Sequence, residues 1–352
     1  MNEDKNTRPW VLTLARALAV LLAAAFLTAG LGLSGGGESQ ACMGTGKKLV
    51  PVGQTVGIKL FARGVMVVGL SDVATEEGAC SPAKACGLKT GDIITHINET
   101  QVDTIEEVEQ QLRECGGELQ IQATRGSKQL TLSAHAAPCL ADGSYKLGAW
   151  IRDSMAGIGT VTFYDPETGR FAALGHGVND VDTGLLMPLQ SGSIMPSSVT
   201  GLVPGEKGCP GELHGSFDLN RDLGRLTANT DWGVFGTLEE DCFSGEAMEV
   251  ARPSQVKTGA ATILANVEGE TVEEYTAEIL RVYPAAGPKG QSLMIRITDS
   301  RLLETTGGIV QGMSGSPIIQ DGKLVGAVTH VLVNDPTRGY GIFIENMLDA
   351  AG

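Results

Sequence analysis

At 352 residues the chain has room for two domains or for one with an appendage, and a hydrophobic content of 42% is that of a folded protein. Its 41 acidic against 26 basic side chains leave a formal charge of −15, which excludes a nucleic-acid-binding role built on clustered Lys and Arg. The 48 glycines imply many turns and β-structure.

The first 41 residues hold three acids (Glu3, Asp4, Glu38) and three bases (Lys5, Arg8, Arg16), so the remainder keeps the whole −15. Lys5 and Arg8 precede an apolar run, and Ala17 to Leu33 spans 17 residues, between a signal-peptide core and a full membrane span. Both a cleaved signal peptide and a retained membrane anchor fit residues 1–41. Ser39-Gln40-Ala41 offers a small-residue cleavage site before Cys42, whereas lipid modification of Cys42 lacks an aliphatic residue three positions earlier. In either case the basic residues place the rest of the chain outside the cytoplasm. Seven cysteines in an exported chain permit disulfides, and the odd count leaves at least one thiol free. No CxxC or paired-histidine spacing supports a metal site, and no cofactor is expected.

Residues 49–137 alternate short strands with one well-signalled helix. Val65 to Leu70 is an apolar strand introduced by Gly64, and Ile93 to Ile97 is a second. Thr104 with Glu107 three residues later forms a capping box, Ile105, Val108 and Leu112 share one helical face, and Gly116-Gly117 stop the helix. Strands Glu118 to Thr124 and Gln129 to Ser133 complete the unit. Gly64-Val65-Met66-Val67, Ser81-Pro82-Ala83, Gly87-Leu88 and Gly91-Asp92-Ile93-Ile94 together resemble a PDZ domain as found in bacterial proteases. The resemblance implies that Gly64, Val65, Met66 and Val67 supply N–H groups for a terminal carboxylate. It also implies that Met66, Val68, Ile105, Val108 and Leu112 line a peptide groove, although Leu112 reads better as core. His96, on a strand of this unit, reads as structural.

From about Tyr145 to residue 352 the pattern is short strands between glycine turns, an antiparallel barrel or sandwich. Leu174-Gly175-His176-Gly177 and Gly312-Met313-Ser314-Gly315-Ser316-Pro317 are the chemistry-bearing motifs. A serine between glycines on a strand-entering turn exposes its hydroxyl while backbone N–H groups face a developing oxyanion. The N–H groups of Gly312 and Ser314 are the candidates. His176 is the candidate general base, since a neutral imidazole suits removal of the serine proton. His330 shares the side of Val328 and is expected to line the substrate pocket. Two acids fit the third place: Asp299, 15 residues before Ser314, and Asp231, 55 after His176. A strand after the serine and a histidine far upstream are similar to the chymotrypsin-type double β-barrel and unlike an α/β-hydrolase.

Trp150 to Thr160 (Trp-Ile-Arg-Asp-Ser-Met-Ala-Gly-Ile-Gly-Thr), Leu174-Gly175-His176-Gly177 and Gly312 to Pro317 are similar to the stage IV sporulation protein B family of exported, PDZ-containing serine peptidases. The likeness runs over the hydrophobic helix, the PDZ domain and the peptidase. It implies a His176, Asp299, Ser314 triad and cleavage of the chain's own N-terminal region. It further implies cleavage of a regulatory subunit of a membrane-embedded protease complex, in the space between forespore and mother cell. Two rival readings are a catalytically silent PDZ scaffold and a general extracytoplasmic quality-control protease. The expected architecture is thus mainly β: a hydrophobic helix, an α+β PDZ domain, then a double-barrel peptidase over residues 145–352.

Overall fold

A computed structural model describes residues 46–284 and 291–351. The expected N-terminal helix, its membrane contact and Cys42 lie outside them. Among the described residues no helix is long and apolar enough to cross a membrane. The six described cysteines are free thiols.

The described chain opens with β1 (Lys48–Pro51) and the 16-residue β2 (Thr55–Leu70). In the first half of β2, Val56, Ile58, Leu60 and Ala62 recur at period two and are buried, while Phe61 is exposed. That alternation specifies a strand with one face in a core. Gly64 interrupts the alternation at φ +79°, and a Cβ there would lie 2.7 Å from the Ile94 carbonyl oxygen, so no side chain fits. Residues 65–70 then continue as the first strand of the PDZ unit. It goes on with α1 (Pro82–Cys86), β3 (Ile93–Ile97), α2 (Ile105–Glu114), β4 (Glu118–Arg125) and β5 (Lys128–His135). Helix α2 starts where the capping box predicts. The Glu107 N–H donates to Thr104 Oγ1 at 3.2 Å, and the Thr104 N–H donates to Glu107 Oε2 at 3.0 Å. Gly116 and Gly117 turn left-handed at its end, with φ of +60° and +104°.

After the PDZ unit come β6 (Ala149–Tyr164), β7 (Arg170–Ala173), β8 (Leu189–Val203), β9 (Gly224–Thr230) and β10 (Gly233–Leu238). The pairings β2–β6–β7–β10–β9–β8 return to β2, closing a six-stranded ring. A second closed ring, in the order β11–β12–β13–β16–β15–β14, follows. Its strands are β11 (Gly259–Glu268), β12 (Thr271–Val282), β13 (Leu293–Ile297), β14 (Pro317–Gln320), β15 (Lys323–Leu332) and β16 (Asp335–Phe343). Helix α3 (Ser300–Thr306) lies between β13 and β14, and α4 (Ile344–Ala351) ends the described chain.

The second barrel is filled by Ile263, Ile279, Leu293, Ile295, Ile318 and Val328, all at 0% exposure. Full burial of each such side chain contributes about 1.5–3 kcal/mol, and truncating one to Ala costs about 2–5 kcal/mol. The first barrel encloses Val56, Val161, Phe171, Ile194 and Val234. Across the two, Ser197 Oγ donates to Thr55 Oγ1 at 3.2 Å, and Thr55 Oγ1 in turn bonds Asn266 of β11.

The boundary between the folded units differs from the sequence expectation. A division at 49–137 and 145–352 assigns β1 and all of β2 to the PDZ unit. In the structure, residues 55–62 pair with 154–160 and 189–196 instead. The PDZ unit is therefore inserted between two strands of the first barrel. The cause is the inward alternation of residues 56–62, which needs a barrel core to cover it.

Candidate active site

The two chemical motifs come from different barrels. Strand β7 of the first is followed by Leu174 and Gly175, both left-handed (φ +69° and +68°), and this turn presents His176. A non-glycine residue in that region stores strain of order 1 kcal/mol or more, which the surroundings must hold. The Gly175 N–H donates to the Ala173 carbonyl at 2.9 Å and the Leu174 N–H to the Thr160 carbonyl at 3.1 Å.

From the second barrel, Gly312 (φ +99°) and Gly315 (φ +100°) bracket Ser314 on the turn before β14. A Cβ on Gly315 would stand 2.1 Å from the Thr160 carbonyl oxygen and 2.6 Å from the Leu174 nitrogen. The glycine is thus demanded both by conformation and by the backbone of the opposite barrel. Met313 anchors the turn with its side chain 1% exposed in the second core. Thr160 of β6 clasps the same turn: its N–H donates to the Ser314 carbonyl at 3.1 Å and its hydroxyl to the Gly312 carbonyl at 2.8 Å.

His176 and Ser314 line one cavity of about 320 Å³. Its walls are mostly apolar (Ile58, Leu60, Met155, Ile158, Leu174 and Val178) with polar Asn179 and Gln311, and among the described residues no Asp, Glu, Lys or Arg lines it. The Ser314 hydroxyl donates to the Thr329 carbonyl at 2.7 Å. His176 Nδ1 lies 2.9 Å from the Gly177 carbonyl oxygen. Because a carbonyl only accepts, Nδ1 carries the proton in the neutral ring and Nε2 keeps its lone pair. Burial pushes the His176 pKa below the usual histidine value, the Gly177 hydrogen bond opposing it in part, so the ring is neutral near pH 7. The N–H groups of Gly312 and Ser314 donate to no acceptor among the described residues.

The structure thus brings His176, Ser314 and Gly312 together, but not Asp299. The Asp299 carboxylate caps α3, accepting from the Arg301 N–H at 3.0 Å and the Thr276 N–H at 3.2 Å. The Arg301 guanidinium also pairs with it at 3.2 Å. These bonds, that from the Arg301 side chain first, hold its pKa below the usual carboxylate range, and it does not line the cavity. Asp231, in the turn between β9 and β10, is exposed. Its neighbours nevertheless touch the histidine's loop. A Cβ on Gly177 would lie 2.7 Å from the Thr230 carbonyl oxygen, and the Asn229 amide bonds the Val178 N–H and the Val178 and Met187 carbonyls at 2.8–2.9 Å. The His330 ring lies beside that of His176, with centroids 5.1 Å apart.

The PDZ residues are placed differently from the expectation. The Gly64 N–H donates to Asp103 Oδ1 at 2.8 Å and the Val67 N–H to the Asp92 carbonyl at 2.8 Å. Val65 and Met66 pair with Ile94 and Ile93 on one side, and Met66 and Val67 face Arg152 and Ile151 on the other. In this conformation the Gly64 N–H holds the Asp103 side-chain carboxylate and Val65 to Val67 are paired within the sheet, so these residues receive no chain-terminal carboxylate. Ile105 and Val108 do line a cavity with Ile151. Sequence reasoning missed Thr160, Asn229 and the Gly177 carbonyl. Thr160 closes the Gly157-Ile158-Gly159-Thr160 stretch and was open to notice, whereas a backbone acceptor leaves no trace in side-chain identity. Among the described residues no cluster of three or more His, Cys, Asp or Glu is placed to hold a metal ion.

Comparison with known proteins gives two family matches: SpoIVB peptidase S55 over residues 143–348 and a PDZ domain over residues 73–119. No curated protein matches the chain. Among solved structures, the active form of the Rv3671c protease from M. tuberculosis is 16% identical, with a TM-score of 0.32 over 56% of this chain and 72% of that one. The thermostable serine protease AL20 from an extremophilic microorganism is 12% identical, with a TM-score of 0.32 over 56% of this chain and 90% of that one.

Proposed function

The chain belongs to the SpoIVB peptidase S55 family and is a serine endopeptidase, and from that premise we propose that Ser314 is its nucleophile and His176 its general base. The observation that carries this assignment is the single cavity into which two barrels deliver them, with Nε2 of a neutral His176 free to accept a proton. In the reaction, the Ser314 hydroxyl leaves the Thr329 carbonyl, gives its proton to Nε2 and attacks a peptide carbonyl. The tetrahedral oxyanion forms against the N–H groups of Gly312 and Ser314. The loss of one such donor costs about 2.7–4 kcal/mol of barrier. The imidazolium returns the proton to the leaving amine, and water then hydrolyses the acyl-enzyme. In this conformation the Gly177 carbonyl, not a carboxylate, holds Nδ1; a triad role for Asp299 requires its Arg301 pair to open.

The uncharged, mostly apolar walls of the cavity fit a substrate with an aliphatic side chain next to the scissile bond, and offer a charged one no counter-charge. Family membership supports a signalling role over general degradation. The enzyme is exported, trims its own N-terminal region, and clips a regulatory subunit of a membrane-embedded protease complex between forespore and mother cell. The PDZ unit governs engagement. Purified protein is expected to cleave itself and a peptide spanning the regulatory subunit's exposed segment, and Ser314→Ala to do neither. Cleavage by the Ser314→Ala protein, or equal turnover of unrelated unfolded proteins, would overturn the respective part of this reading.

A further inference from the structure

The peptide unit that joins Gly177 to Val178 is held at both ends by side chains. Its carbonyl oxygen, that of Gly177, accepts the Nδ1–H of His176 at 2.9 Å. Its N–H, that of Val178, donates to Asn229 Oδ1 at 2.8 Å. In a trans peptide the C=O and N–H point in opposite directions, so this one unit spans from the imidazole to the Asn229 amide.

Asn229 stands near the end of β9, opposite Val234 of β10. Its Nδ2 also donates to the Val178 and Met187 carbonyls, each at 2.9 Å. It thereby ties together both legs of the segment that leaves His176. The same legs meet through the Met187 N–H and the Val178 carbonyl at 3.0 Å, and at the Asn179–Leu186 bridge. One N–H and two carbonyls call for one acceptor and two donors, the complement of a primary amide. A carboxylate in the same place would set its oxygens against two carbonyls with no proton between them. Close packing keeps the unit in place: a Cβ on Gly177 would lie 2.3 Å from Leu186 Cδ1 and 2.7 Å from the carbonyl oxygen of Thr230, the neighbour of Asn229. Gly177 and Val178 line the catalytic cavity and Asn229 does not, so any influence of Asn229 on the reaction passes through the peptide.

That peptide matters to proton transfer. When His176 takes the serine proton, its Nδ1–H bond becomes a charge-assisted one and strengthens. A carbonyl whose own N–H is bonded is the better polarised acceptor. Fixed from its far side, it also keeps the ring in one tautomer and orientation, which is the service a triad carboxylate performs.

We infer that Asn229 is a positioning residue for the general base: by holding the 177–178 peptide it keeps the Gly177 carbonyl on Nδ1 of His176 and leaves Nε2 to take the serine proton. The effect on reactivity rests on the peptidase reading above; the hydrogen-bonded chain from Asn229 to the ring does not.

The test uses the full chain, labelled with nitrogen-15 in its histidine rings, and two readouts. The first is the tautomer of His176 by nuclear magnetic resonance near pH 7, its signal assigned by loss in His176→Ala. The second is fluorophosphonate labelling of Ser314, with the maximal rate and the half-saturating concentration measured separately. The wild-type ring is expected to carry its proton on Nδ1. In Asn229→Ala the signal should move toward the Nε2–H form that an unheld histidine prefers. The maximal labelling rate should fall up to about a hundredfold, as for a displaced catalytic group, with the half-saturating concentration unchanged. Asn229→Ser, which keeps one oxygen able to accept and one hydrogen to donate, should fall between the two in both readouts, and it carries the test if the alanine variant does not fold. The proposal is overturned if the wild-type proton sits on Nε2, if the variants label at the wild-type rate, or if labelling slows with the tautomer unmoved. Absence of any labelling in the wild type would instead sink the peptidase reading, with the resonance measurement still judging the chain from Asn229 to the ring.

Discussion

The second barrel is assembled from strands that follow one another between residues 259 and 343, whereas the first joins residues 48–62 to residues 149–238 across an inserted PDZ unit. The proposed nucleophile, Ser314, stands on the barrel of consecutive strands, and its turn is fixed by Met313 in a closed core. The histidine stands on the barrel that shares two strands with the PDZ unit. Closing a barrel across a long insertion costs loop-closure entropy that consecutive strands avoid, and slows its formation. The division places the proposed attacking group on the barrel of consecutive strands and the proposed proton acceptor on the one closed across an insertion.

Breaking the contact between the two barrels should have the largest effect. Gly315→Ala drives a methyl group into the Thr160 carbonyl and Leu174 nitrogen. It should lower kcat/KM about a hundredfold or more, as expected for misplaced catalytic groups. Gly322→Ala, also at positive φ but facing open space, should cost only about 1–2 kcal/mol of stability and leave the kinetics of the folded enzyme alone. Equal kinetic damage from the two would deny the inter-barrel contact its role.

Asp299 sharpens the same comparison, because it lies in the second barrel while the histidine lies in the first. As a helix cap, it should lose about 0.5–2 kcal/mol of stability on replacement by Ala, read from urea unfolding, with kcat retained. A fall in kcat on the order of 10⁴ would instead make it the triad acid.

The pH response follows from the burial of His176. Its folded pKa lies below the ordinary value near 6.5, so as pH falls the unfolded chain binds the proton first. The stability contributed by the neutral ring is complete above that value and is lost as pH drops through it toward the folded pKa. Activity should accordingly persist below pH 6.5. A pH–rate inflection at or above it would contradict the buried, neutral base.

The smallest change is expected at Ser316, whose buried hydroxyl has no hydrogen-bond partner among the described residues. Ser316→Ala removes an unsatisfied group and should be neutral or stabilising by up to about 1 kcal/mol, measured as a shift in the urea midpoint.

Much of this arrangement is legible in the sequence because local chemistry dictates it. The capping box at Thr104 and Glu107 placed α2, the positive-φ glycines around Ser314 marked its turn, and the glycine setting of His176 marked the other. The position of the PDZ unit was not legible, although residues 56–62 alternate plainly, because alternation shows that a strand has a buried face and not which core covers it. The partner of Nδ1 escaped for a different reason: it is a main-chain carbonyl, identical in every residue. The place of Asp299 escaped because an acid before a short helix fits both a cap and a triad, and only its bonds to Arg301 and Thr276 separate them.

The most direct test of the account measures fluorophosphonate labelling of the purified full chain, followed by peptide mapping, in the wild type, Ser314→Ala and His176→Ala. The account predicts a single labelled residue, Ser314, with labelling abolished in the first variant and greatly slowed in the second. Labelling at another serine, or undiminished labelling without His176, would contradict it.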